Sequence, residues 1–280
     1  MSLPENFISG EKIQEIADLY FGSMEDFIWN PKMMDQIEKH QIIDDIFPNF
    51  DNPKILFVYA HRLKQFADKI DNFLNSFILI SHNADTNLTE DNPDVLRILK
   101  SDKLIGWWGQ NLCFIHPKMR PVPIGLANSM WEHGNSDAFA HLEHFCLNNS
   151  KSKELYVNFN EYTNPCKRKP CLLSVTKYGV LPMVNFVEHI KRLSHYKCCA
   201  CPEGNGVDTH RIWEALYLNC SPVVVKTPFI ETLMHYTQNR LPIIVLNSWD
   251  NYEPNTSFTQ NYSEILTVEY YRRQIYSLIK

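Results

Sequence analysis

Residues 198–225 read Cys198-Cys-Ala-Cys-Pro-Glu-Gly-Asn-Gly-Val-Asp-Thr-His-Arg-Ile-Trp-Glu-Ala-Leu-Tyr-Leu-Asn-Cys-Ser-Pro-Val-Val-Val225. A short apolar run is followed by a Gly-rich turn, a helical stretch from Thr209 to Leu218, and a second apolar run at Pro222–Val225. That is strand, loop, helix, strand, the unit from which parallel α/β sheets are built. Gly204 and Gly206 allow the backbone to come close to a ligand. Asp208 or Thr209 can cap the helix, whose free N–H groups favour an anion. His210 and Arg211 add donors at the same end. One turn on, Glu214 suits the two vicinal hydroxyls of a ribose, as acidic residues do in nucleotide sites. An ordinary turn with an ordinary cap and a solvated arginine would give the same short string, so Gly-Asn-Gly alone does not decide between them.

The alternation extends in both directions from this unit. Helical spacing is read over 11–29 and 33–46, then a strand over 54–60, a helix over 62–74 and a strand over 77–81. A short helix from Pro93 to Leu99 leads to strands at 103–108 and 118–124 and a helix over 136–147. Asn148 to Lys153 is polar and turn-like, the best linker in the chain. The order then restarts with a strand at 155–159, a polar loop over 160–169, a helix over 184–193 and a strand at 195–200. Beyond the opening unit come a helix at 229–235, a strand at 242–246 and a closing helix over 263–279. The expected fold is α/β, with two Rossmann-like doubly wound lobes facing a central cleft. The expected boundaries are 1–150 for the first lobe, 151–262 for the second and 263–280 for a closing helix. Polar clusters at 82–87, 109–111, 125–135, 160–169, 201–211 and 247–252 follow strand ends, where such sheets bind ligands.

The chain has 280 residues, a formal charge of -5 and 44% hydrophobic residues. This is a globular balance, and the acidic sum argues against a general nucleic-acid binder. No apolar run reaches membrane-spanning length, and the start carries no secretory pattern, so the expectation is a cytoplasmic protein with no transmembrane segment. The eight cysteines are read as free thiols. Cys198, Cys199 and Cys201 are read as small core residues, because adjacent cysteines on a strand face opposite ways and no partner pair lies near. Of the Asn-x-Ser/Thr sequons, Asn219 is expected to be too buried for a glycan.

The segment from Cys201 to Val225 resembles the donor motif of exostosin-like glycosyltransferases, Pro-x-Gly-x-Gly-x-Asp-Thr-x-Arg-x-Trp-Glu-Ala-Leu followed by a small-residue turn and Pro-Val-Val. Looser likeness lies in Gly109-Gln-Asn111, His116-Pro-Lys118, Pro121-Val-Pro-Ile-Gly-Leu-Ala127 and Trp131-Glu-His-Gly134. The resemblance implies a GT-B fold, a nucleotide-sugar donor with no metal and no cofactor, Glu214 on the ribose and Arg211 near the diphosphate. The chain is shorter than the animal members, so their substrates are not carried over.

Other residues complete the expected site. Arg168 and Lys169 follow the first strand of the second lobe and could neutralise a leaving diphosphate, or be a solvated basic run. The donor is expected along Asn160, Thr163, Arg168 and Lys169, and along Pro202, Gly204, Asn205, Gly206, Val207, Asp208, Thr209, His210, Arg211 and Glu214. A base is needed for the acceptor hydroxyl. Asp85 is favoured, with His82 beside it and His61, Glu132 and His133 as rivals. One of Trp107 and Trp108 is expected in the core, with the other either there too or on a sugar ring. The expected activity is inverting transfer of a sugar from a nucleoside diphosphate, UDP being the common one, to a glycan hydroxyl. The alternative is a non-catalytic module that binds nucleotide-sugar or glycan.

Overall fold

The computed structural model describes residues 6–23, 25–28, 41–43, 49–140, 151–254 and 262–279. It is an α/β structure with two parallel sheets. The first contains β1 (Leu19–Phe21), β2 (Gln41–Ile43), β3 (Lys54–Tyr59), β4 (Phe77–His82), β5 (Leu104–Gly109) and β6 (Met119–Pro121), in the order β2-β1-β3-β4-β5-β6. The second contains β7 (Lys153–Tyr156), β8 (Tyr196–Ala200), β9 (Ser221–Val225) and β10 (Ile244–Leu246), in the order β10-β9-β8-β7. Helices α1 (Gly10–Gln14), α2 (Glu25–Ile28), α3 (Leu63–Asp68), α4 (Pro93–Lys100) and α5 (Asp137–Ala140) belong to the first half. Helices α6 (Pro165–Val175), α7 (Phe186–Leu193), α8 (His210–Tyr217) and α9 (Pro228–Tyr236) belong to the second, and α10 (Val268–Tyr276) closes the chain.

The period-2 alternation of buried strands sorts the core. Ile55, Phe57, Ile78, Ile80 and Trp108 pack on one face of the first sheet, and Leu56, Val58, Leu79 and Trp107 on the other. The first of these faces continues into the second half through Phe7, Tyr156, Trp213 and Tyr217. Both tryptophans of β5 are therefore interior, and Trp107 Nε1 donates to Ser81 Oγ at 2.8 Å. The terminal segments stitch the halves together. Ile8 N donates to Tyr217 Oη, Tyr217 Oη donates to Leu266 O, and Val268 N donates to Asn6 O. Leu278 lies over Gly106 of β5, where a Cβ would sit 2.8 Å from it.

Several sequence expectations change. The helix over 11–29 is broken by β1, because Leu19–Phe21 is recruited between β2 and β3, and strand pairing outweighs local spacing. Within 33–46 only 41–43 is described, and it is a strand. Of the helix at 136–147, residues 141–147 lie outside the described residues, as do 148–150 of the 148–153 linker. The polar loop over 160–169 is helical from Pro165 onward. Asn164 precedes Pro165 at the first helical position, a start signal that the basic composition and Pro170 obscured. Asn219 is exposed rather than buried, with φ of 52°, ending α8 in the left-handed conformation open to asparagine.

Gly125, just after β6, has φ of 65°, and a Cβ there would lie 2.2 Å from Ile8 O. Both the dihedral and the backbone contact exclude a side chain. Gly125→Ala is expected to cost ~2 kcal/mol or more, read as a lowered midpoint in urea unfolding. An unchanged midpoint would mean that this junction relaxes freely.

Candidate functional site

The second half supplies a basic, glycine-lined surface beyond the carboxyl ends of its strands. After β7 the chain passes Asn158 and Asn160 and enters α6. Asn160 caps a short turn by accepting from Tyr162 N, and Asn164 Nδ2 donates to Gly204 O at 2.7 Å. Arg168, on the first turns of α6, donates from Nε to Glu203 O at 3.0 Å and from Nη1 to Asn160 O at 2.8 Å. It also lies over the Phe159 ring. Gly204 N donates to Gly206 O, and a Cβ on Gly204 would sit 3.1 Å from Arg168 Nη2. The Gly-rich loop is thus clamped by α6. Among the described residues no carboxylate pairs with Arg168. Lys167 instead pairs with Glu203 at 3.3 Å, and Lys169 stands over the Tyr162 ring. Thr163 and Asn205 are exposed, and Pro202 and Gly206 are buried.

Helix α8 starts at Thr209 with no side chain capping its N–H groups, and Thr209 Oγ1 is buried without a partner. Asp208 does not cap it. Its Oδ1 accepts from Trp213 Nε1 at 2.7 Å, and its Oδ2 from Ile124 N of the first half at 2.7 Å. Asp208 N in turn donates to Asn111 Oδ1. Asp208 is therefore a staple between the halves. Burial pushes its carboxyl up to about 7 although three donors, Ile124 N, Trp213 Nε1 and Thr209 N, favour the ionised form. His210 is also turned to the junction, with Nδ1 2.8 Å from Gly125 O.

Arg211 and Glu214 form a buried pair. Arg211 Nε lies 3.0 Å from Glu214 Oε2, and Nη1 donates to Asn158 O. The Nε contact is a charge pairing rather than an aligned hydrogen bond, since that nitrogen otherwise lacks a partner. His189 Nε2 lies 3.1 Å from the same Oε2, and Tyr156 Oη lies 2.8 Å from His189 Nδ1. Burial alone would raise the Glu214 carboxyl; the Arg211 guanidinium and the His189 hydrogen bond outweigh it and hold the group at about 2. Burial, aided by Arg211, lowers His189, so its ring is neutral at pH 7. The network then reads Tyr156 O–H to Nδ1 and Nε2–H to Glu214. Sequence reasoning missed His189 and Tyr156. Their signal was weak, a histidine on the apolar face of a helix and a tyrosine inside a strand.

The first half brings its own loops against this surface. A Cβ on Gly206 would lie 3.2 Å from Asp85 Oδ1 and 3.3 Å from Asn111 Nδ2. Asp85 is exposed and faces the Gly-rich loop. His82 is interior, with Nε2 2.9 Å from Pro123 O and Nδ1 3.0 Å from the Asn83 amide. Neither nitrogen is open to an acceptor hydroxyl. Of the other base candidates, His61 lies 3.2 Å from Asp26, whereas Glu132 and His133 are exposed. The structure thus gathers Asp85, Gly204, Gly206, Asp208, His210, Arg168 and Arg211 around one junction, and leaves His61 outside it.

A cavity of about 270 Å³ opens at the carboxyl ends of β8, β9 and β10, lined in part by Lys167, Pro202, Glu203, Val207, Lys226 and Trp249. Cys198, Cys199 and Cys201 are buried, and no group of three or more metal-ligating side chains occurs among the described residues. No described helix is long and apolar enough to cross a membrane. Fold and site together define an α/β protein with two Rossmann-like parallel sheets and a basic junction between them. No protein-family model matches the chain, and no curated protein matches it significantly.

Proposed function

We propose that the protein is a glycosyltransferase of GT-B type, of the exostosin-like kind, using a nucleoside-diphosphate sugar. The carrying observation is Arg168, a guanidinium whose hydrogen bonds among the described residues go to carbonyl oxygens, beside Gly204 and in the field of a second guanidinium, Arg211. Two neighbouring cations, of which only Arg211 is paired with a carboxylate among the described residues, favour an added anion, and a leaving diphosphate is such an anion. The uncapped start of α8 adds N–H donors at the same place. The nucleoside is assigned to the cavity beyond β8–β10, as open α/β sheets place such ligands. Glu214 would meet the ribose through Oε1, since Oε2 is taken by Arg211 and His189.

In the reaction an acceptor oxygen attacks the anomeric carbon, and the bond from that carbon to the phosphate oxygen breaks. Its electron pair leaves with the diphosphate. Asp85, across from Gly206, takes the acceptor proton. Inversion follows from a single displacement.

The test is calorimetric titration with UDP, GDP and their sugar conjugates, followed by assays of donor hydrolysis and transfer. Binding and turnover are expected, and chelation of divalent metal is expected to leave both intact. If no nucleoside diphosphate binds, the donor site is wrongly placed. If donor binds without hydrolysis or transfer to any acceptor, the chain is a binding module.

A further inference from the structure

Trp107, Trp108, Trp213 and Trp249 are buried, whereas Trp131 is 54% exposed. An amphipathic indole at the surface offers an apolar face together with a polar N–H. Its setting is built rather than loose. Trp131 N donates to Asn128 O, and Gly134 N donates back to Trp131 O. Gly134 has no room for a side chain, since a Cβ would lie 2.0 Å from Asn128 O. Asn128 and Ser129 are in turn anchored to α1. Asn128 Oδ1 accepts from Glu11 N, and Glu11 Oε1 accepts from Ser129 N and Oγ at 3.1 and 2.8 Å. The indole is therefore carried on a tight turn fixed to the first half.

The ring's orientation is set as well. His133 stacks on it with centroids 6.1 Å apart and planes 21° apart. His133 then meets His210 edge-on at 6.1 Å. His210 opens α8, directly after the Gly-rich loop, and feels the charge of Asp85. Three rings thus lead from solvent to the junction where the donor is assigned. His133 lies offset against the indole, which remains 54% exposed.

We propose that Trp131, stacked on His133, is the platform for the acceptor glycan, receiving the C–H face of a sugar ring one or two residues from the reacting hydroxyl. An indole face is electron-rich and matches the weakly positive C–H face of a pyranose, while the sugar's equatorial hydroxyls stay in water. Carbohydrate is favoured over a peptide because the platform is a single ring on a tight turn, followed directly by two exposed polar side chains, Glu132 and His133, that can hydrogen-bond sugar hydroxyls. The proposal rests on the glycosyltransferase reading for the role of the bound sugar, and its test separates the two.

Protein at high concentration is mixed with cellopentaose, xylopentaose, maltopentaose and chitopentaose, and binding is followed by saturation-transfer NMR and tryptophan fluorescence. At least one oligosaccharide is expected to bind the wild type. Trp131→Ala is expected to weaken it about tenfold or more, equivalent to ~1.4 kcal/mol, and Trp131→Phe to retain part of the affinity. Because the side chain is exposed, both variants should keep the wild-type circular dichroism and UDP affinity. No binding by the wild type, or equal binding by Trp131→Ala, overturns the platform. If UDP fails to bind while oligosaccharide binding depends on Trp131, the platform stands and the donor assignment falls.

Discussion

Arg168→Ala is expected to lower kcat by about 10²–10³, the usual cost of removing one pre-aimed donor from a developing anion. UDP affinity should fall with it, because the diphosphate is present in ground state and product alike. The side chain has a second job, since it ties Glu203 O to Asn160 O and so holds the Gly-rich loop against α6. Arg168→Lys separates these contributions. It keeps a positive charge but cannot reach two divergent carbonyls and a phosphate at once. If charge dominates, Lys recovers most of the UDP affinity; if loop geometry dominates, Lys behaves like Ala. Added salt should narrow the gap between wild type and Ala, as expected for a half-buried ion contact. Unchanged UDP affinity in Arg168→Ala would remove the diphosphate from this position.

The parts of the fold legible in sequence were those where local and global demands agree. β3, β4 and β5 are apolar runs buried on both faces, β8 is one apart from its exposed Lys197, and all four appear within a residue or two of their expected limits. The Gly-rich segment was legible because its glycines, cap and helix occur in one unbroken string. What stayed hidden depends on residues far apart in the chain. β1 is three residues long and exists because β2 and β3 flank it. Asp208 is one of two caps the sequence allows, beside Thr209, yet its side-chain partners include Trp213 and the distant Ile124. No spacing rule anticipates a carboxylate that turns away from its own helix to join two sheets. His189 and Tyr156 illustrate the same limit. They matter through Glu214, 25 residues from His189 in sequence. The type of residue at 214 was readable, but the company it keeps was not.

That company yields the second large effect. Glu214→Gln is expected to destabilise the protein by ~3–5 kcal/mol at pH 7, because Arg211 stays buried without its counter-charge. The wild type carries its own acid-dependent version of this loss. Glu214 is held at about 2 in the folded chain, against ~4.3 for a free glutamate. Its contribution is therefore full above the unfolded value and disappears as the pH falls from about 4 toward 2, amounting to ~3 kcal/mol. Asp208 has the opposite sign: its folded value is raised to about 7, so its contribution is full at acid pH and is lost as the pH rises through 7. The two cannot be separated in the wild-type curve alone, but Asp208 is common to wild type and variant and cancels in their difference. Urea unfolding of both proteins from pH 2 to 8 should then give a gap that is constant above pH 5 and closes toward pH 2. A gap independent of pH would mean that Glu214 is not the charge balancing Arg211. Ligand binding divides the remaining roles. Loss of the Glu214 charge frees Arg211 toward phosphate, so pyrophosphate should bind Glu214→Gln at least as well as wild type. UDP should bind it more weakly if Oε1 also accepts a ribose hydroxyl. A variant that binds both ligands better would assign Glu214 to holding Arg211 and leave the ribose to another residue.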